Sequence, residues 1–297
     1  VDIGLHTRAI AETSTPYYYV NKHELRQVLI KRQKFDHKGI YGHSLIIAGS
    51  FGMMGAAGLC AESSIRAGSG LVTVHIPRIG YSIIQSTVPE AIVDVDDNDF
   101  YFTGVADISK YTAICFGPGV GQESKTINGF RNLLIKAINP LVIDADGLNI
   151  LASNADLLKI LPKNSIITPH IGEFNRLFGK VNGGFERLKL ALEMAAKYEI
   201  VIVIKGAHSH VVCPNGEVYF NSTGNPGMAT GGSGDVLAGI ITSLVAQGYT
   251  SVDAAKIAVY VHGLAGDLAS QNFGKISIKS SDIISFVGQA FLHLNSK

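Results

Sequence analysis

Between Gly224 and Gly239 the chain reads Gly224-Asn225-Pro226-Gly227-Met228-Ala229-Thr230-Gly231-Gly232-Ser233-Gly234-Asp235-Val236-Leu237-Ala238-Gly239. A glycine-rich loop, one carboxylate and an apolar run follow each other without a break. Glycines let backbone amides approach an anion closely, and a helix that starts there adds unpaired N–H groups and partial positive charge. The combination suits a phosphoryl group. Asp235 is the odd member, because a carboxylate beside phosphates is repelled unless a cation or many donors offset it. The competing reading is a plain glycine-rich turn whose Asp caps a helix. Two familiar nucleotide motifs do not apply: Leu237 stands where G-x-G-x-x-G needs its last glycine, and no G-x-x-x-x-G-K-[ST] occurs.

Further segments place polar or glycine-rich residues after short apolar runs, and in open α/β sheets ligands gather at the carboxyl ends of strands. Ala48-Gly49-Ser50-Phe51-Gly52-Met53-Met54-Gly55-Ala56-Ala57 offers small residues at a helix start, open either to a ligand or to tight packing. Gly117-Pro118-Gly119-Val120-Gly121 is a rigid turn presenting bare backbone. In Val142-Ile143-Asp144-Ala145-Asp146-Gly147 two carboxylates end a strand, Asp146 read as a helix cap and Asp144 as a polar site residue. His170 and Glu173 stand three residues apart at a strand-to-helix junction, and Lys205-Gly206-Ala207-His208-Ser209 follows another apolar run, where a lysine and adjacent amides can meet a phosphate.

The elements that must hold these residues are legible as alternation. Strands are expected at 45–48, 71–76, 113–116, 141–143, 165–168 and 200–204, with helices at 55–67, 124–138, 147–160 and 184–198 between them. That alternation predicts a mainly parallel sheet covered by helices. Asn215-Gly216 between 211–213 and 218–220 signals one antiparallel hairpin. Val236, Leu237, Ile240, Ile241, Leu244 and Val245 recur at helical spacing, so helices are expected at 234–247, 251–270 and 281–293. The acidic run Asp94-Val95-Asp96-Asp97-Asn98-Asp99 reads as a solvated loop, and Lys31, Arg32, Lys34, His37 and Lys38 as a solvated helix end.

Composition bounds the function. With 297 residues and 46% hydrophobic content the chain can bury a large core. A net charge of +1 argues against nucleic-acid binding driven by bulk charge, so small molecules are the expected partners. Cys60, Cys115 and Cys213 sit among apolar residues and read as reduced core thiols. No run approaches the roughly 18 to 20 apolar residues of a membrane span, and a cytoplasmic setting is expected.

Taken in order, His37-Lys38-Gly39 with Gly42-His43, the Ala56 loop, Arg66-Ala67-Gly68-Ser69-Gly70-Leu71, Gly117-Pro118-Gly119, Asp144-Ala145-Asp146-Gly147, Thr168-Pro169-His170 with Gly172-Glu173, Lys205-Gly206-Ala207 and the Gly224–Gly239 stretch resemble the ADP/ATP-dependent NAD(P)H-hydrate dehydratases. The resemblance implies an α/β fold of the ribokinase-like class, a three-layer α/β/α sandwich on a mainly parallel sheet. It implies an enzyme, a hydro-lyase that returns (S)-NADHX or (S)-NADPHX to NADH or NADPH while ADP gives AMP and phosphate, or ATP gives ADP. By that likeness Asp235 is the catalytic base, Gly232, Ser233 and Gly234 form an anion hole, and Lys205, Gly206, Ala207, His208, Ser209 and Gly234 bind the nucleotide. Ala56, Gly119, Gly121, His170 and Asp235 contact the hydrated dinucleotide. Mg²⁺ is implied as cofactor, with Glu173 reaching it only through water; a homotetramer is implied as the assembly.

One departure matters: ribokinase relatives carry N-x-x-E at the metal-associated junction, whereas His170 stands here for the Asn. That favours a dehydratase over the runner-up, a small-molecule kinase acting on a hydroxymethylpyrimidine or hydroxyethylthiazole. A non-catalytic nucleotide sensor is the alternative of another class, and the retained Asp235 argues against it. Residues 22–297 are expected to form the dehydratase domain. Residues 1–21 are expected to be an extension, or the end of an epimerase domain and its linker, because Val1-Asp2-Ile3-Gly4-Leu5 resembles that domain's last strand.

Overall fold

A computed structural model describes Gly4, His6, Arg8 and residues 12–296. The Val1–Leu5 resemblance therefore falls largely outside the described residues.

Period-2 burial explains the sheet. Ile46, Cys115, Val142, Ile166, Val201 and Val203 turn to one side, while Leu45, Ile47, Ile114, Phe116, Leu141, Ile143, Ile167, Ile202 and Ile204 turn to the other. Strands buried on both faces read as continuous apolar runs, which is why their positions were visible in the sequence. The strands are β1 (Tyr17–Tyr19), β2 (His43–Ile47), β3 (Leu71–Ile76), β4 (Ile92–Val95), β5 (Ala113–Phe116), β6 (Leu141–Ile143), β7 (Ile166–Ile167), β8 (Val201–Ile204), β9 (His210–Val212) and β10 (Val218–Phe220). They form one ten-stranded sheet in the order β1-β10-β9-β8-β7-β6-β5-β2-β3-β4. Only β9 runs against its neighbours, and Gly216 at φ 93° makes the expected hairpin turn. Tyr17–Tyr19, inside the stretch read as an extension, adds a parallel edge strand beside β10.

Helices cover both faces. On one side lie α2 (Met54–Arg66), α8 (Ser233–Ala246), α9 (Ser251–Phe273) and α10 (Ser280–Asn295). On the other lie α4 (Ser124–Lys136), α5 (Asp146–Ser153), α6 (Ile171–Phe178) and α7 (Gly184–Tyr198). Two further short helices are α1 (Lys22–Val28) and α3 (Tyr81–Thr87). The three-layer α/β/α expectation is met. The helix expected at 147–160 is instead α5 and a 3₁₀ turn at Leu157–Ile160, separated where Asn154 leaves helical geometry.

Two polar readings need correction. The acidic run is not a solvated loop: Ile92–Val95 pair with β3, and Asp96 is buried against His75 and Thr103. Asp94 and Asp96, two residues apart, both turn to His75 while Asp97 and Asp99 stay exposed, a division that a count of charges cannot reveal. The basic cluster is exposed as expected but does not end a helix: α1 stops at Val28, and the Arg32 guanidinium donates to Gly68 O and lies 3.9 Å from the Tyr41 ring.

Candidate active site

Every candidate segment emerges at the carboxyl end of a strand. After β5 the backbone turns sharply at Gly117, φ 129°, where any Cβ would collide with the Asp144 carbonyl. That close approach packs the Gly117–Gly121 turn against the end of β6. Gly119 follows at φ 65°, and a Cβ there would lie 3.3 Å from Ala56 Cβ, so the two positions touch. Ser50 Oγ donates to Gly119 O at 2.7 Å, and Gly121 N donates to Asp146 Oδ2 at 3.0 Å. Ala56, Gly119 and Gly121 thus form one small-residue wall. Asp146 does not cap its own helix; α5 has no side-chain cap, and the Asp146 carboxylate ties the glycine turn instead.

Between the two carboxylates Ala145 sits at φ 49°, a conformation that costs a non-glycine residue on the order of 1–3 kcal/mol. Such strain persists where surrounding contacts enforce a geometry. Its product is Asp144, 1% exposed, with Oδ1 accepting from Lys205 Nζ at 2.7 Å. Lys205 arrives from β8, whose end pairs with β7 through a bridge between His170 and Lys205. Glu173 Oε2 lies 3.7 Å from the same ammonium. Burial opposes charge on Lys205, yet Asp144 and Glu173 outweigh it and raise the ammonium's pKa, so the cation is permanent at neutral pH.

His170 and Glu173 cap α6 reciprocally. His170 Nδ1 accepts from the amides of Gly172 and Glu173, and Glu173 Oε2 accepts from His170 N at 2.8 Å. An Asn-for-His exchange at a cap preserves this role, because both side chains accept from first-turn amides. The ring is about half exposed, its Nε2 lying 3.4 Å from Glu173 Oε1. Gly206, Ala207 and His208 are exposed beside it, His208 bonding to Asn221 O, while Ser209 O accepts from Asn221 N.

The glycine loop reaches this cluster through α8. Gly232 takes φ 89° at its N-cap, turning the chain so that Gly234 and Asp235 fall in the first turn. The amides of Gly234 and Asp235 have no backbone acceptor among the described residues, as a helix start requires for anion binding. Ser233 N is directed less openly, at 3.4 Å from Thr230 O. A Cβ on Gly234 would lie 3.2 Å from Lys205 Nζ and 3.3 Å from Asp144 Oδ2. The ion pair therefore borders the loop itself.

Asp235 is half-buried among these groups. Burial first, then Asp144, pushes its carboxyl pKa up to about 7, with Lys205 opposing. A carboxylate poised near neutrality is suited to accept a proton at physiological pH.

Other residues that hold the loop had no motif to announce them. Asp267 on α9 accepts from Gly224 N and Asn225 Nδ2, each at 2.9 Å, and Ser280 Oγ donates to Gly231 O at 2.7 Å. His262 Nε2 lies 3.3 Å from Ser233 Oγ, its pKa pushed down to about 4 by burial. A polar residue recurring inside a long apolar helix was the available signal.

A single ion cage is absent: no group of three metal-ligating side chains occurs among the described residues. Mg²⁺ nonetheless fits, because it commonly takes one or two carboxylates and completes its shell with phosphates and water. Glu173 Oε2 is engaged with His170 N and lies 3.7 Å from Lys205 Nζ.

Comparison with known proteins extends this geometry. Residues 44–288 match the family model described as NAD(P)H-hydrate dehydratase. An ADP-dependent (S)-NAD(P)H-hydrate dehydratase of Neisseria meningitidis is 32% identical over 87% of this chain and 91% of its own. A bifunctional NAD(P)H-hydrate repair enzyme of Moorella thermoacetica is 33% identical over 100% of this chain and 58% of its own. The chain thus spans little more than half the length of that relative. Among solved structures, the ADP/ATP-dependent NAD(P)H-hydrate dehydratase of Bacillus subtilis, co-crystallized with ATP and Mg²⁺, superimposes with a TM-score of 0.83. Its identity is 28%, over 93% of this chain and 98% of that one. With the family model matched over residues 44–288 and a relative 32% identical over 87% of this chain, the chain belongs to the NAD(P)H-hydrate dehydratase family.

Proposed function

We propose that this chain dehydrates (S)-NADHX or (S)-NADPHX at the expense of ADP or ATP. The observation that carries the reading is Asp235: a half-buried carboxyl with a pKa pushed up to about 7, placed in the first turn of α8 beside open amides and the Lys205–Asp144 pair. In this reading Asp235 accepts the proton of the ring hydroxyl, and the freed oxygen attacks the terminal phosphoryl group. The bond from phosphorus to the nucleotide's bridging oxygen breaks, and AMP or ADP leaves. Phosphate is then expelled from the ring together with a proton from the adjacent carbon, which restores the double bond.

The open amide of Gly234, with those of its neighbours Gly232 and Ser233, receives the charge on the transferred group, Ser233 N turning from Thr230 O to do so; each charge-assisted hydrogen bond contributes on the order of 1.5–3 kcal/mol. Lys205 brings a fixed cation to the same place, and the exposed Gly206–Ser209 loop borders the nucleotide. Ala56, Gly119, Gly121 and exposed His170 face the hydrated dinucleotide. Mg²⁺, carried in with the phosphates, supplies charge neutralisation for phosphoryl transfer.

No helix of the described residues is long and apolar enough to cross a membrane. The same proposal includes a cytoplasmic setting and a homotetramer, the latter checked by sedimentation. Purified protein mixed with (S)-NADHX, Mg²⁺ and ADP or ATP should restore the absorbance of the reduced nicotinamide. Absence of recovery with both nucleotides overturns the reading.

A further inference from the structure

A pair of solvent-exposed phenylalanines is rigidly mounted at the edge of the site. Phe51, 68% exposed, follows β2; Phe100, 50% exposed, lies beyond β4. Their rings meet edge to face with centroids 5.8 Å apart, and Phe51 N donates to Phe100 O at 2.8 Å. Two exposed rings in contact make an apolar patch, and the Phe100 loop that carries one of them is held by hydrogen bonds centred on buried Asp96. Asp96, fully buried, pairs with His75 and accepts from Thr103 N at 2.7 Å and Asn98 N at 2.8 Å. Asn98 Oδ1 in turn accepts from Phe100 N at 2.9 Å, and Asn98 O and Asp99 O accept from the amides of Arg78 and Ile79. None of these groups serves the chemistry assigned to Asp235.

The platform is continuous with the small-residue wall. Ser50, adjacent to Phe51, is the donor to Gly119 O, and a Cβ on Gly119 would lie 2.9 Å from Met53 Cβ. In the sheet, β8, β7 and β6 bring Lys205, His170 and Asp144 to the reacting centre, whereas β2, β3 and β4 lie successively farther out beyond β5. Strand spacing is about 4.8 Å, so Phe51, in the turn after β2, stands roughly two spacings from the strand that carries Asp144, with Phe100 hydrogen-bonded beside it. With the nucleotide on the Lys205–Ser209 side, a dinucleotide whose nicotinamide end is at Asp235 can extend its other end along the Ala56–Gly119 wall toward this edge.

We propose that Phe51 and Phe100 form a preorganised stacking subsite for the adenine ring of the dinucleotide substrate. The inference rests on the dehydratase reading and names the part of the substrate that this surface holds. A flat purine offers its face to a fixed aromatic ring, and such stacking tolerates changes of base because it reads shape and polarisability rather than hydrogen bonds. Met53, 53% exposed, completes the apolar floor.

The test is a cycle between protein and ligand. Phe51→Ala and Phe100→Ala are each compared with wild type on (S)-NADHX and on the hydrated form of reduced nicotinamide mononucleotide, which lacks the adenine. On (S)-NADHX each variant should raise KM about tenfold, the order expected for losing one base–aromatic stack. The KM for ADP or ATP should not move, and Phe51→Tyr should retain wild-type values. On the truncated substrate the variants should match wild type. Equal losses on both substrates, or variants indistinguishable from wild type on (S)-NADHX, overturn the subsite. An altered sedimentation coefficient with an unmoved KM also overturns it, assigning the rings to contact between copies. Failure of the dehydratase reading itself would instead show as an inactive wild type that binds neither substrate.

Discussion

Lys205 Nζ lies 2.7 Å from Asp144 Oδ1 and borders Gly234, so one ion pair links the end of β6, the end of β8 and the start of α8. Its members act on Asp235 with opposite sign: Asp144 raises the pKa of that carboxyl and Lys205 lowers it. Removing the cation in Lys205→Met should therefore raise the pKa further and move the acidic limb of the pH profile of kcat/KM above about 7. Asp144→Asn should move that limb to lower pH, because a repelling charge is gone while the ammonium remains. The double variant should return the limb toward its starting position. Limbs that stay fixed in all three would remove the pair from any influence on the base.

Asp235 itself is the sharpest single test of the mechanism. Asp235→Asn keeps the shape of the first turn and its open amides but cannot accept a proton. Turnover should fall by about 10² to 10⁴, the usual worth of a general base. ADP or ATP should bind at least as tightly as to wild type, since a carboxylate near phosphates has been neutralised. Steady-state rates together with calorimetric titration of the nucleotide measure both. A variant with near-normal kcat would exclude Asp235 as the base.

Gly239 sets how closely α8 can approach α2. A Cβ at this position would run into Ser63 Oγ and the Cys60 carbonyl, and a backbone carbonyl cannot rotate aside. Ser63 Oγ already donates to Cys60 O at 3.0 Å, so the contact surface is fully used. Gly239→Ala should cost about 3 kcal/mol, the upper range for overpacking in a core. Urea denaturation reads this as a lower midpoint with an unchanged slope. An unchanged midpoint would mean that the two helices can part without loss.

The legible parts of this molecule share a physical cause. Strands such as Val201–Ile204 are buried on both faces, and glycines such as Gly117 and Gly232 occupy conformations other residues avoid, so each leaves a local mark. Even the order of the motifs along the chain follows from successive strands opening at one edge. Asp96, His262 and Asp267 leave only a polar letter in an acidic or apolar run, which does not say what it holds. Their meaning depends on partners far away in sequence: Asp96 on His75 across a strand pair, and Asp267 on Gly224 across a helix and a loop. The Lys205–Asp144 bond was equally invisible, because both residues were read as separate ligand contacts. Only the order β8-β7-β6 brings them together.

His75 shows how such a hidden contact can be tested through pH. Its Nδ1 lies 2.7 Å from Asp94 Oδ2 and its Nε2 3.2 Å from Asp96 Oδ2, with the ring itself buried. Burial lowers the imidazole's pKa, but the bonds to Asp96 and Asp94 outweigh it and the net shift is upward. For Asp96, burial raises the pKa, and the bonds from His75 and Thr103 overcome it, bringing the carboxyl to about 2. A raised histidine contributes stability that is complete below its unfolded value of about 6.5 and is lost as pH rises through the folded value. A depressed aspartate contributes stability above about 3.9, lost as pH falls through about 2. The cluster is therefore at full strength between about pH 4 and 6.5. Asp96→Asn should cost about 3 kcal/mol in that window, the lower range for breaking a buried pair, and less as the pH is raised above it. Urea midpoints of wild type and variant measured across the pH series check this. A difference that is the same at every pH would show that Asp96 acts through its hydrogen bonds to Thr103 and Asn98 alone, with no charge on His75.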